Sequence, residues 1–249
     1  MSKHFKSSTN FKPTLTKTIF KPTLTNKFLV EILGTFILVY AIASAATVYS
    51  HSGQLGVIGI GLVHALVLTG IIYAIGYRSG AQVNPAVTIG LLVAGKISHK
   101  EAIVYIIAQI IGAIIGAAVV YSIFGSAMAA SVTLPSDNNV IRALILETVM
   151  TFTLVYVVLA TTTSRNFRIV PLAGLAIGIT LGLNVMIGAS ITGGSLNPAR
   201  SFGPALIMFN FSYQWIYWVA PIAGGLIAAG VYKLLNTKEE QELEKMPSE

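Results

Sequence analysis

The sequence predicts an all-α membrane protein with six transmembrane helices and two re-entrant half-helices, arranged as an inverted repeat. Three observations support this fold class: the composition, the lengths of the apolar stretches and an internal duplication. Of the 249 residues, 54% are hydrophobic and 10% are charged, whereas a soluble domain carries about 25% charged residues. A soluble or disordered chain is therefore excluded. The absence of cysteine also excludes a disulfide framework and a thiol nucleophile.

Six apolar stretches have the length of a membrane crossing. About 20 helical residues span the hydrocarbon core of a bilayer, and the stretches cover residues 28–49, 55–77, 102–124, 140–161, 169–189 and 214–235. Two further stretches, 85–94 and 198–209, are too short to cross. At about 1.5 Å per residue they reach roughly halfway through the core, so we expect them to be re-entrant half-helices.

The positions of the cationic side chains predict the orientation. The formal net charge is +7, and all 16 lysines and arginines except Arg142 and Arg200 fall on one side of the predicted membrane. The positive-inside rule places that side, with both termini, in the cytoplasm. The excess of basic residues therefore indicates the orientation of the chain in the membrane, and we expect no nucleic-acid partner.

The chain divides into three parts. Residues 1–26 form a basic polar cytoplasmic tail, 27–235 the membrane-embedded domain and 236–249 a second cytoplasmic tail. The first tail has no apolar core followed by a cleavage site, so we expect the first span to be an uncleaved anchor. This tail contains FKPTLT twice, at 11–16 and 20–25. We interpret these copies as part of a solvated tail, with a docking repeat as the alternative.

The membrane-embedded domain is a duplication, with repeat one at about 27–124 and repeat two at about 140–235. The segment that begins at Glu31 recurs at Glu147, with Glu, Thr, Phe, Leu, Val and Tyr in matching positions. Asn-Pro-Ala also occurs twice, and Gly112 of the third span corresponds to Gly225 of the sixth. Because three crossings separate equivalent positions, the two halves enter the membrane from opposite sides.

The paired Asn-Pro-Ala motifs predict the starts of the two half-helices. Asparagine is a favoured N-cap and proline a favoured first helical residue. Opposite entry brings the two helix N-termini together near the midplane, where their dipoles disfavour a cation. The amides of Asn84 and Asn197 then offer hydrogen bonds to a neutral solute. The motifs are Asn84, Pro85 and Ala86 in the first half, and Asn197, Pro198 and Ala199 in the second.

With these motifs the sequence resembles the aquaporins, or major intrinsic proteins, from about residue 28 to 235. The resemblance rests on SGAQVNPAVT at 79–88, GGSLNPARSFGPA at 193–205 and the glutamates that open spans one and four. It implies a channel domain that conducts water and other small neutral solutes without a cofactor or a metal. It also implies a homotetramer in which each subunit has its own pore.

The resemblance assigns four residues to the outer constriction of the pore: His64, Val185, Gly194 and Arg200. A strict water channel has phenylalanine at the first of these positions and histidine at the second. The set in this chain is more similar to plant vacuolar, or tonoplast, intrinsic proteins, which implies ammonia as a second solute. The alternative roles are an interfacial anchor for Arg200 and a histidine hydrogen-bonded between helices for His64.

We expect Glu31 and Glu147 to support the structure by accepting N–H groups of the non-helical backbone that leads into each half-helix. The alternative is a proton relay. Gln82 stands where many aquaporins have histidine, which argues against pH sensing at that position. Residues that differ from the pattern of glycerol-conducting relatives favour water over glycerol. These residues are Ser201, Ala205, Tyr217 and Trp218.

The predicted function is a passive channel for water, with ammonia or other small neutral solutes as further substrates and with protons and ions excluded. The sequence contains no constellation typical of an enzyme, and we expect the channel to lie in the plasma membrane. Two alternatives remain. Inverted repeats with interrupted helices are also typical of secondary transporters, and a structural membrane protein with a closed pore would have the same spans.

Overall fold

The computed structural model describes residues 22–162 and 170–235. The expectations for most of the first tail, including one FKPTLT copy, and for residues 236–249 lie outside the described residues. The described chain contains eight α-helices. They are α1 (Leu24–Ser52), α2 (Gly56–Ser79), α3 (Pro85–Val93), α4 (His99–Phe124), α5 (Val140–Thr162), α6 (Ala173–Thr192), α7 (Pro198–Ile207) and α8 (Ile216–Leu235).

Six of these helices are long and apolar enough to cross a membrane, which confirms the predicted fold class. The two short ones, α3 with 9 residues and α7 with 10, are the re-entrant half-helices. Each half of the chain therefore has three crossings and one half-helix, and the two halves insert with opposite orientation. The face of the membrane at which α1 begins is called the tail face below, and the other face is called the distal face.

Most of the helix ends follow from local sequence. Gly53, Gly80 and Gly193 end α1, α2 and α6 in the left-handed conformation, which glycine adopts without a steric penalty. Helix α4 begins with a capping box in which Ser98 and Glu101 bond reciprocally. The fifth crossing begins at Ala173, later than predicted, because a 3₁₀ turn at Val170–Leu172 precedes it. A 3₁₀ segment at Gly125–Ser131, which was not predicted, follows α4.

Small residues set the spacing of the helices. Gly116 of α4 faces the backbone of α1, where an added Cβ would lie 2.8 Å from the carbonyl oxygen of Phe36. Between the halves, Gly61 of α2 and Gly182 of α6 face each other, and a Cβ on Gly182 would lie 2.6 Å from the Gly61 oxygen. Such contacts allow the helix backbones to approach closely.

The packing corrects one detail of the repeat. Gly112 of α4 faces the backbone of α1 at Ile32, and the residue of α8 that faces the equivalent position of α5, Thr148, is Gly224. Gly225 instead faces the carbonyl oxygen of Ala86 at the start of α3. The predicted match of Gly112 to Gly225 is therefore wrong by one residue. The third and sixth spans share only scattered small residues, so the motifs alone do not fix their alignment to within one residue.

Candidate pore

The starts of the two half-helices meet in the centre of the molecule. Asn84 caps α3 by accepting the N–H of Ala86 at 2.9 Å, and Asn197 caps α7 by accepting the N–H groups of Ala199 and Arg200. Each side-chain amide also reaches into the other half. The Nδ2 atom of Asn84 donates to the carbonyl oxygen of Leu196 at 2.8 Å, and that of Asn197 donates to the oxygen of Val83 at 2.9 Å.

The loops that lead into the half-helices have an irregular backbone. Positive φ angles occur in both loops at matching positions, including 45° at Val83 and 54° at Leu196. Such segments cannot satisfy their own N–H groups, which is costly inside a membrane. Glu31 accepts the N–H groups of Gln82 and Val83, and the hydroxyl of Ser79, at 2.6 to 2.9 Å.

Glu147 has the same contacts in the second half. It accepts the N–H groups of Ser195 and Leu196 at 2.9 and 2.8 Å, and the hydroxyl of Thr192 at 2.7 Å. Both carboxylates are fully buried. In both halves a buried carboxylate therefore accepts two backbone N–H groups of the loop that leads into the half-helix.

The two halves differ in how the carboxylates are supported. In the first half the Gln109 amide donates to both Glu31 and Thr88 at 2.9 Å. In the second half, Pro221 occupies the corresponding place in α8, and the hydroxyl chain Thr133–Ser201–Ser195 lies beside the loop instead. The symmetry is therefore close in the backbone and only partial in the side chains.

A cavity of about 510 Å³ lies along the junction of the halves. Its polar wall includes the loop at 79–84 with Ser195, Asn197, His64 and Arg200. The remainder of the wall is largely aliphatic, with leucine, isoleucine and valine side chains from both halves. Toward the tail face the lining includes Lys96 and Thr162, and the Lys96 ammonium lies 5.4 Å from the centre of the Tyr232 ring.

Two of the four predicted constriction residues line this cavity. The Nδ1 atom of His64 bonds to the carbonyl oxygen of Ile60 at 2.8 Å, and its Nε2 atom has no partner within the described chain. Arg200 donates from Nη1 to the oxygen of Ser131 at 3.2 Å, and its Nε atom likewise lacks a partner there. Each residue therefore has one buried nitrogen without a hydrogen-bond partner in the described chain.

The other two predicted residues lie beside the cavity and are absent from its lining. Val185 is fully buried, and Gly194 packs against it, since a Cβ on Gly194 would lie 3.5 Å from the Val185 Cα. The backbone at Gly194 has a φ of 57°, which favours glycine. The structure thus brings His64 and Arg200 to one cavity and places Val185 and Gly194 behind it.

The family model described as Major intrinsic protein matches residues 18–232. The chain belongs to the major intrinsic protein family. Curated relatives include a probable aquaporin TIP-type of Medicago truncatula, which is 39% identical over 216 residues, or 83% of this chain and 86% of that protein. Aquaporin NIP1-1 of Zea mays is 36% identical and covers 86% of this chain and 77% of its own length. Aquaporin-4 of Dipodomys merriami is 33% identical over 79% of this chain and 63% of its own length.

A solved structure has the same fold. The aquaglyceroporin from Plasmodium falciparum aligns with a TM-score of 0.74 and 24% identity, over 88% of this chain and all of that one. This aquaporin-family chain is therefore an integral membrane channel for water or small solutes.

Three further residues line this aquaporin-family pore. Gln82, considered above only for pH sensing, lines the cavity and carries a buried acceptor. Lys96 and Thr162, which were not expected at the pore, line it toward the tail face. The place of Gln82 next to the first Asn-Pro-Ala was a usable signal. The aliphatic residues of the wall could not be predicted, because the sequence does not distinguish a leucine that faces the pore from one that faces lipid. Among the described residues no group of three histidine or acidic side chains could hold a metal ion.

Proposed function

We propose that this chain is a passive channel that conducts water, with ammonia as a second solute, and excludes protons and ions. The observation that carries the proposal is the reciprocal pair of hydrogen bonds from Asn84 and Asn197, which ties two helix N-termini together beside one cavity. Both positive dipole ends face the path of a solute there. A cation meets an unfavourable potential, whereas a neutral molecule exchanges hydrogen bonds with the two amides.

The proposed solutes follow from the unpartnered nitrogens of His64 and Arg200. With Nδ1–H donated to a carbonyl, the neutral imidazole presents Nε2 as an acceptor, while the Arg200 Nε is a donor. Water and ammonia both donate and accept, so either one satisfies the pair. Ser201, Ala205, Tyr217 and Trp218 favour water over glycerol.

Stopped-flow measurements on proteoliposomes test the proposal. We expect faster water and ammonia permeation than in empty liposomes, little acceleration for glycerol, and no added proton leak. Water permeation equal to that of empty liposomes would favour the closed, structural membrane protein. Uptake against a gradient that collapses with an ion gradient would favour a secondary transporter.

The contacts of the two buried carboxylates argue against the transporter. Glu31 and Glu147 each accept two backbone N–H groups and a hydroxyl, so both are committed to holding a loop. A coupling carboxylate must instead bind and release an ion. The same contacts argue against a proton relay through either residue.

We further propose that the channel is a homotetramer with both termini in the cytoplasm, and that it performs no chemistry. Cross-linking in native membranes tests the subunit number, and protease protection of tagged termini tests the orientation. The sequence analysis predicts the plasma membrane, whereas the TIP-type names of several relatives favour an internal, vacuolar membrane. Fractionation with membrane markers decides between these two locations.

A further inference from the structure

Gln82 lies two residues before Asn84 in the loop that leads into α3. Its side chain is 5% exposed and lines the cavity. Its backbone N–H donates to Glu31 at 2.9 Å, which fixes the residue from behind. The buried Glu31 carboxylate therefore holds the backbone of Gln82 at the wall of the cavity.

The carbonyl oxygen of the Gln82 side chain, Oε1, has no hydrogen-bond partner within the described chain. Only three residues combine a cavity-lining position with such an orphaned buried atom in this part of the chain: Gln82, His64 and Arg200. The other two belong to the proposed constriction. A buried acceptor without a partner is costly, so a solute that donates a hydrogen bond gains by binding there.

The equivalent residue of the second half offers no such acceptor. Ser195 donates its hydroxyl to the carbonyl oxygen of Asn197 at 3.0 Å and shares a further hydrogen bond with Ser201. The free acceptor therefore exists in one half only, among the residues described. The neighbouring wall is aliphatic, with Leu91, Leu154 and Val158 in the lining.

We propose that Gln82 is a specificity-determining residue, whose Oε1 atom accepts a hydrogen bond from the solute beside the paired asparagines. This inference rests on the proposed function. The asparagine amides donate and Gln82 accepts, so the sequence of contacts favours solutes that carry both a lone pair and a polar hydrogen. Because an amide has no titration in the physiological range, this contact is independent of pH.

The test compares Gln82→Met with Leu62→Met in proteoliposomes. Methionine removes the acceptor at similar length, and Leu62 is an exposed residue of α2 that does not line the cavity. Losing one hydrogen bond predicts a roughly three- to tenfold lower water permeability per channel. It also predicts a steeper temperature dependence of permeation. The Leu62→Met control should change neither quantity.

The temperature dependence separates a lost contact from a folding defect, because fewer active channels lower the flux without changing its slope. A reduced flux with an unchanged slope, or equal behaviour of the two variants, would overturn the proposal. If proteoliposomes with the wild-type protein conducted water no faster than empty liposomes, the proposed function itself would be refuted.

A second variant, Gln82→His, gives an independent readout. A neutral imidazole nitrogen accepts a hydrogen bond, and an imidazolium does not. The ratio of the variant's water permeability to that of the wild type should therefore be near one at about pH 8 and fall at about pH 5.5. The ratio cancels any contribution of His64, which both proteins carry. A ratio that does not change with pH would place the side chain at position 82 out of reach of the solute and overturn the inference.

Discussion

Asn84 and Asn197 each donate a side-chain hydrogen bond to the loop of the other half, at 2.8 Å to Leu196 and 2.9 Å to Val83. The same two side chains cap their own half-helices through their oxygens. One pair of residues therefore fixes the start of each half-helix and the distance between the two starts. The relative position of the dipole ends depends on this pair.

Replacing Asn84 by aspartate should weaken ion exclusion. Aspartate still caps a helix, but it puts a negative charge between the dipole ends and faces the Leu196 oxygen without a donor. A barrier lower by about 1.4 kcal/mol raises the leak about tenfold. Proton flux into proteoliposomes with a pH-sensitive dye measures this. Asn139→Asp, at an exposed residue that accepts the Arg142 N–H, is the control and should not leak.

Arg200→Val should leave the fold largely intact and weaken discrimination against cations and larger solutes. The guanidinium is buried with an unpartnered Nε, so its removal relieves desolvation as well as losing the bond to Ser131. Ion conductance and urea permeation in reconstituted vesicles measure selectivity. Arg142→Val, at an exposed ion pair with Asp137, should leave selectivity unchanged. Equal selectivity of Arg200→Val and wild type would contradict the proposed constriction.

His64→Phe should lower ammonia permeation more than water permeation. The ring of phenylalanine removes the Nε2 acceptor and adds bulk beside Arg200. Paired stopped-flow measurements of both solutes on one preparation give the ratio. His51→Phe, in the exposed last turn of α1, serves as the control. Equal proportional losses for the two solutes would count against a filtering role for His64.

Glu31→Gln and Glu147→Gln should each destabilise the protein by about 1–3 kcal/mol, because an amide NH₂ then faces at least one backbone N–H. Thermal unfolding in detergent measures the loss. Glu101→Gln is the control, since Glu101 forms a partly exposed ion pair with Lys27 and glutamine also completes a capping box. If Glu31→Gln and Glu147→Gln unfold at the same temperature as Glu101→Gln, the two buried glutamates do not hold the loops.

Gly225→Ala should lower thermal stability by about 1–3 kcal/mol, because the added methyl group would lie 2.7 Å from the Ala86 oxygen at the start of α3. Displacement of that half-helix should also reduce water permeation. Gly230→Ala in the same helix meets no atom within 4 Å and should change little. Matching melting temperatures of the two variants would show that α8 does not buttress α3.

The number of crossings, the duplication and the starts of both half-helices could be predicted from the sequence. These features depend on apolar length and on caps, which act over a few residues. Asn84 and Asn197 illustrate this, because an asparagine followed by proline specifies a helix start wherever it lies. His64 and Arg200, which the resemblance assigns to a constriction, both line the cavity, and their role there stays a prediction.

Other features were decided only by the tertiary structure. The register of α8 against α5, the withdrawal of Val185 from the cavity wall and the free oxygen of Gln82 depend on contacts between segments far apart in the chain. Sequence determines which groups need a partner in the membrane. Packing decides which groups find one, because a helix rotation of one residue exchanges a buried contact for a pore-facing or lipid-facing position.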